Sequence, residues 1–242
     1  MLLALDSSTL TLSLALFERQ GGEVYPREVI HHPPPRKQSQ MLPEVVGELL
    51  SRHAVRLTDL EGLVVGLGPG SFTGLRIGLA TVKGLAYAAR LPVGGASSLA
   101  AVALEGPEGR VLLASAVARQ GELYVGRYRR VGRRVEALAA EDAVTPNELA
   151  AMLANEPEAV ALGPSISEYR ERLVAAGAPS DRLLDAPSFP SAMSLAHLAR
   201  LPDRFDAQAL FAFEPHYVRA SGAERNPKFP AGPGPEPTAR IV

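Results

Sequence analysis

The sequence predicts an α/β fold built from two units, each a mixed sheet flanked by helices. Three observations predict it. The first thirty residues read as three strands joined by tight turns, and a helix–strand–helix–strand–helix series follows them. A second strand-rich stretch opens at Val111 and repeats that order in reduced form. Between a short apolar strand and a long helix lies a glycine-rich turn, Gly68-Pro69-Gly70-Ser71-Phe72-Thr73-Gly74.

Leu2 to Asp6 is the first strand, and Asp6-Ser7-Ser8-Thr9 is the turn that ends it. Leu10, Leu12, Leu14 and Leu16 alternate with polar or small residues, the period-2 signature of a second strand. Gly21-Gly22 turns the chain into a third, Val24 to Ile30, and Pro33-Pro34-Pro35 forms an extended connector. A helix over 39–53 follows, with Ser39 as its cap and Pro43 in or beside the first turn, where proline is tolerated. Leu42, Val45, Val46 and Leu49 recur along it at helical spacing. After the strand at 63–67, Gly68 and Gly70 allow a turn with positive φ. Ser71 or Thr73 then caps a helix from about Thr73 to Arg90. A strand near 92–95 and a short helix from Ser98 complete the first unit.

The second unit begins with the strand Val111 to Val117, followed by strands near 122–130 and 133–137. Thr145-Pro146-Asn147-Glu148 starts a helix. Val160-Ala161-Leu162 is a strand ending at Gly163, and Ile166 to Ala176 is helical. Ser191 to Leu201 reads as a helix returning to the first unit. The expected division is therefore 1–104 with a returning segment at 191–219, a smaller unit at 105–190, and a tail at 221–242. Pro and Gly dominate that tail, which predicts disorder or loose docking.

At 242 residues, with 46% hydrophobic and 21% charged residues, the chain has the composition of an ordinary globular protein. A net charge of −1 gives no global attraction to a phosphate backbone, so any RNA contact has to be local. The absence of cysteine excludes disulfides, thiolate nucleophiles and cysteine-ligated metals. Asp6 interrupts the apolar start too early for a signal peptide, and no run of about 18 apolar residues predicts a membrane span. A soluble, cytoplasmic protein is expected.

Few residues carry recognisable chemistry. A strand, a glycine turn and a helix N-terminus make a candidate anion site, and equally the commonest strand-to-helix joint. Histidine occurs only at 31, 32, 53, 197 and 216, with no pair at the i, i+4 spacing that chelates a metal on a helix. Each is expected to be a surface or hydrogen-bonded residue. Ser71 directly follows Gly70, so it does not match a Gly-x-Ser-x-Gly nucleophile turn and reads as a helix cap. Arg127, Arg129, Arg130, Arg133 and Arg134 flank a hairpin tip at Val131-Gly132. They are a candidate RNA contact or, the favoured reading, a solvated hairpin. The long helix carries two stripes, Leu75, Leu79, Val82, Ala86 and Ala89, and Gly74, Gly78, Thr81, Leu85 and Ala88. One stripe suffices to dock on a sheet. The glycines at 78 and 84 each cost about 1 kcal/mol relative to alanine, which close approach of a neighbour would offset.

The stretch Gly68-Pro69-Gly70-Ser71-Phe72-Thr73-Gly74-Leu75-Arg76-Ile77-Gly78, with Ala80-Thr81-Val82-Lys83-Gly84-Leu85-Ala86 after it, closely resembles the signature of the TsaB (YeaZ) family. The opening Leu3-Ala4-Leu5-Asp6-Ser7-Ser8-Thr9 agrees with that family. So do Gln38-Ser39-Gln40-Met41-Leu42-Pro43, with Gln38 where the family has histidine, and Pro92 to Leu99. Ala118-Arg119-Gln120-Gly121-Glu122-Leu123-Tyr124 and Pro215-His216-Tyr217-Val218-Arg219 are similar to later family segments. The resemblance is dense through Leu104, sparser to Arg219 and absent from the tail.

The resemblance implies an actin-like (ASKHA) fold and a non-catalytic subunit of the machinery that makes threonylcarbamoyladenosine in tRNA. It implies TsaD as direct partner, the ATPase TsaE, tRNA reached through the complex, and a homodimer when isolated. No cofactor of its own is implied, and nucleotide binding is expected at most at the level of the complex. In such a fold Asp6, Ser7, Ser8 and Thr9 occupy the first phosphate turn; the alternative is that Asp6 caps a hairpin. Val117 stands where an acid is expected in the second such turn, which argues against Mg²⁺-dependent ATP hydrolysis. Ser98-Leu99-Ala100-Ala101-Val102 stands where TsaD has a His-x-x-x-His metal motif. The expected interface comprises Gly74, Leu75, Ile77, Gly78, Thr81 and Leu85, with Leu42, Val45, Val46 and Leu49 on the preceding helix; packing between those two helices is the alternative. The runner-up function is a small ATPase or kinase of the same fold. A metallopeptidase is opposed by the missing His-x-x-x-His and His-Glu-x-x-His patterns.

Overall fold

A computed structural model describes residues 1–33, 38–119 and 121–218, with backbone alone for 38–41. The Pro34-Pro35 part of the connector, Gln120, Arg219 and the tail at 221–242 lie outside the described residues. The elements are β1 (Leu2–Asp6), β2 (Leu12–Gln20), β3 (Glu23–His32), α1 (Gln38–Arg52), β4 (Gly62–Gly66), α2 (Phe72–Ala89), β5 (Val93–Ala96) and α3 (Ser98–Leu104). They continue with β6 (Val111–Val117), β7 (Leu123–Val131), β8 (Arg134–Ala137), β9 (Asp142–Val144), α4 (Pro146–Asn155), β10 (Val160–Leu162), α5 (Ser165–Ala175), β11 (Leu183–Leu184), α6 (Ala192–Leu198) and α7 (Ala207–Ala212). No helix among the described residues is long and apolar enough to cross a membrane.

The first sheet has the order β3-β2-β1-β4-β5 and the second β11-β10-β6-β7-β8, with β9 also paired to β7. In each, one strand is flanked by an antiparallel neighbour leading to a hairpin and by a parallel neighbour leading to a further parallel strand. The second unit is thus the first repeated in shortened form, the actin-like architecture.

Burial exceeds what alternation predicts. Leu12, Leu14 and Leu16 of β2 pack with α1 and α2, as a half-buried strand would. Ala15 and Phe17, on the other face, are equally buried beneath α6. The sheet is covered on both sides, and Leu10 falls in the turn before β2, largely exposed. α6 packs on the first sheet as a returning helix, capped by Ser191. α3 lies between the sheets: Ala101 faces the first, while Leu99 and Val102 join the core of the second.

Local signals explain most boundaries. Ser71 Oγ accepts from Gly74 N and caps α2. Thr145 and Glu148 form a reciprocal capping box on α4, with Pro146 in its first turn. Ser39 is a correction: α1 already begins at Gln38, so Ser39 sits inside its first turn rather than ahead of it. Gly68 has φ +88°, as the turn requires. Gly70 serves differently, because the Ser8 carbonyl presses against it where a Cβ would stand.

Candidate functional site

Equivalent turns of the two units face each other across a cleft of about 860 Å³. From the first come Ser8, Thr9, Leu10 and Thr11 between β1 and β2, and Pro69 to Thr73 between β4 and α2. From the second come Ala116 to Arg119, Glu122 and Tyr124 around the β6–β7 turn, and Pro164 and Glu168 between β10 and α5. His216, Tyr217 and Val218 close one side. At the mouth the Arg76 guanidinium lies 3.9 Å over the Phe72 ring, and Tyr217 packs on Phe72 with ring centroids 5.6 Å apart. Arg76 Nε also donates to Tyr217 Oη at 3.3 Å.

The four residues of the first turn divide. Ser8 and Thr9 line the cleft; Asp6 and Ser7 do not, and both are buried. Asp6 Oδ1 accepts from Ser8 N at 2.8 Å and Ser8 Oγ at 2.6 Å, while Oδ2 accepts from Ser98 Oγ at 2.6 Å. Burial raises its pKa above the ordinary carboxylate value, partly offset by the bonds from Ser8 and Ser98. Asp6 therefore ties the β1–β2 turn to the start of α3. Ser7 Oγ donates to Gly74 O at 2.9 Å, pinning β1 to α2. On the facing side Val117 lines the cleft, and the carboxylates of that wall belong to Glu122 and Glu168.

The expected interface also divides. Leu42, Val45, Val46 and Leu49 of α1 and Gly74, Leu75 and Gly78 of α2 are buried within the chain. A Cβ on Gly78 would overlap Ser7 Oγ and stand 3.3 Å from Leu5 Cδ1, so the close approach is to this chain's own first strand. Those seven positions pack inside the chain. Ile77, Thr81 and Leu85 are half-buried, and Thr73, Ala80, Gly84, Tyr87 and Ala88 are exposed, leaving one outward face. Gly84 has nothing within 4 Å of its Cβ position.

The arginine hairpin is largely neutralised. Arg127 pairs with Glu156, Arg133 with Glu23, and Arg129 lies 4.0 Å from Glu136. Arg130 donates to the carbonyls of Gly132 and Gly106. Arg134 is exposed at the start of β8. This arrangement gives the solvated-hairpin reading its physical basis, since carboxylates offset the charge that phosphate contact needs.

Two histidines have lowered pKa values. His31 Nδ1 lies within hydrogen-bond distance of Ser13 Oγ, at 3.2 Å, and that oxygen also accepts from Ala192 N. Burial, then the neighbouring His32, lowers the His31 pKa below 6.5. Burial, then Arg133 and Arg19, does the same for His197. A histidine whose folded pKa is depressed is protonated first in the unfolded chain. Its contribution is present above the ordinary value and is lost as pH falls through it. The thermal midpoint of His31→Gln, measured between pH 7.5 and 5.5, is expected to fall less steeply than that of the parent; equal slopes would remove His31 from the account.

A buried network escaped the sequence reading. Glu141, between β8 and β9, accepts on Oε1 from Tyr128 Oη and from Ser97 Oγ, the cap of α3. Burial, then the Glu141 charge, raises the Tyr128 pKa, keeping the phenol protonated as donor. In the sequence Ser97, Tyr128, Glu141 and His216 are too far apart to be associated by spacing.

Comparison with known proteins places these features in context. Residues 10–176 match the family model described as TsaD: tRNA N6-adenosine threonylcarbamoyltransferase. The tRNA threonylcarbamoyladenosine biosynthesis protein TsaB of Escherichia coli is 36% identical over 53% of this chain and 55% of its own length. Its Haemophilus influenzae counterpart is 36% identical over 51% of each chain. The chain thus spans about half the length of these two relatives, whereas the match to Bacillus subtilis TsaB, at 28% identity, covers 92% of this chain and 96% of that one. Among solved structures, YeaZ from Pseudomonas aeruginosa superposes with a TM-score of 0.70 at 29% identity, covering 89% of this chain and 98% of that one.

Proposed function

The chain belongs to the family that this model defines, in its TsaB (YeaZ) group, and on that premise we propose that it takes part in making threonylcarbamoyladenosine in tRNA as a non-catalytic partner of TsaD. In this reading TsaD carries the transfer, TsaE and tRNA join through the complex, the isolated chain forms a homodimer, and the setting is the cytoplasm. The observation that supports a non-catalytic role is the state of Asp6. Its two oxygens are committed to Ser8 and Ser98 behind the cleft wall, and Val117 stands at the end of β6 opposite, the carboxylates of that wall being Glu122 and Glu168. A phosphate-bound metal ion would need oxygen ligands from these turns.

The outward face of α2 supports a docking role. Ala80, Gly84 and Ala88 are small and exposed, and a helix or loop can approach such a stripe closely. Gly84→Glu tests this without touching the core, because the position is open and glutamate is the better helix former by up to about 1 kcal/mol. The variant is expected to melt no lower than the parent and to lose co-elution with TsaD from the same host, self-association, or both. Unchanged association would place the partner elsewhere. The catalytic reading has its own check: the purified chain is expected to turn over ATP well below about 1 s⁻¹. A rate at or above that would favour a small ATPase or kinase.

A further inference from the structure

We propose that Glu141 and His216 form a latch that fastens the segment after α7 across the cleft to the second unit. The segment is held along its length to the first unit. Lys83 Nζ donates to Phe211 O at 2.9 Å and lies 3.6 Å from Glu214. Phe213 packs over Gly95 and joins the first core. His216 N donates to Leu67 O at 2.8 Å, extending the end of β4. Tyr217 is bound to Phe72 and Arg76. The side chain of His216 reaches the second unit, its Nδ1 standing 3.7 Å from Glu141 Oε2.

That oxygen is the notable atom. Glu141 Oε2 is the buried side-chain oxygen or nitrogen left without a hydrogen-bond partner among the described residues, and its side chain is only 6% exposed. Its orientation is fixed, because Oε1 already takes both available hydroxyls, Tyr128 and Ser97. A buried carboxylate oxygen without a donor is costly, which calls for a partner at that spot. His216 is the donor placed to supply it, from the wall of the cleft. Tyr217 and Val218, next in the chain, line the same cleft. Release of His216 from Glu141 leaves Tyr217 on Phe72 and Arg76 as the remaining side-chain hold at this end, and whatever enters on that side has to displace it. The pair touches neither Asp6 nor the outward face of α2, so the inference stands apart from the proposed function.

The test is a double-mutant cycle on the whole chain, read by amide hydrogen exchange at His216 and Tyr217. His216→Phe keeps the ring and removes the nitrogen; Glu141→Gln keeps the shape and the Oε1 acceptor and removes the charge. Each single variant is expected to exchange at these amides about tenfold faster than the parent, and the double variant no faster than the singles. The global melting temperature of His216→Phe is expected to stay at the parental value. Unchanged exchange in both singles, or effects that simply multiply in the double variant, would overturn the latch. Exchange that rises equally in β4 and β7 would also overturn it, by showing a general loss of packing.

Discussion

Gly78→Leu is expected to fail to fold, or to melt more than about 10 °C below the parent, because its side chain has nowhere to go. A first carbon at this position already overlaps Ser7 Oγ, and three more would drive α2 off β1. Overpacking a tight site costs typically 1–3 kcal/mol and sometimes more, and the Ser7–Gly74 hydrogen bond would break as well. At about 2–4 °C per kcal/mol for a chain of this size, the melt reads the loss directly. Gly84→Glu, two turns further along the same helix, is the matched control. A Gly78→Leu protein that melts normally but no longer associates would restore this glycine to an interface.

Asp6→Ala is expected to lower stability by about 3 kcal/mol, a drop of roughly 6–12 °C in melting temperature. The substitution strands three buried donors, Ser8 N, Ser8 Oγ and Ser98 Oγ, and opens the tie between the first hairpin and α3. Asp6→Asn keeps the acceptor for Ser8 and is expected to lose about half as much. A stable Asp6→Ala protein that had lost nucleotide affinity would reassign Asp6 to a ligand-binding role.

These two positions show where sequence reading stops. Periodicity, capping residues and turn glycines locate most of the longer strands and helices, because those signals act over one or two turns of chain, while β9, β11 and α7 are too short to carry them. Thr145 and Glu148 are found at once, three residues apart. Gly78 is recognised as a place of close approach, but a glycine looks the same whether its neighbour is the chain's own β1 or a second molecule. Asp6 is recognised as a turn acid, and only the fold reveals that Ser98, ninety-two residues on, seals it away. Glu141 and His216 leave no local trace. His216 stands 75 residues beyond Glu141, and α7, six residues long, has too few turns to declare itself.

The position of α3 has a consequence for how this chain could have changed through descent. A helix whose two faces complete two different cores cannot be handed on with either half alone. Exchange of segments at its end would give one recipient a helix with bare Leu99 and Val102, and leave the other with a sheet lacking its cover. The halves share one topology, yet α3 carries Ala101 for one core and Leu99 and Val102 for the other, so the helix is constrained from both sides.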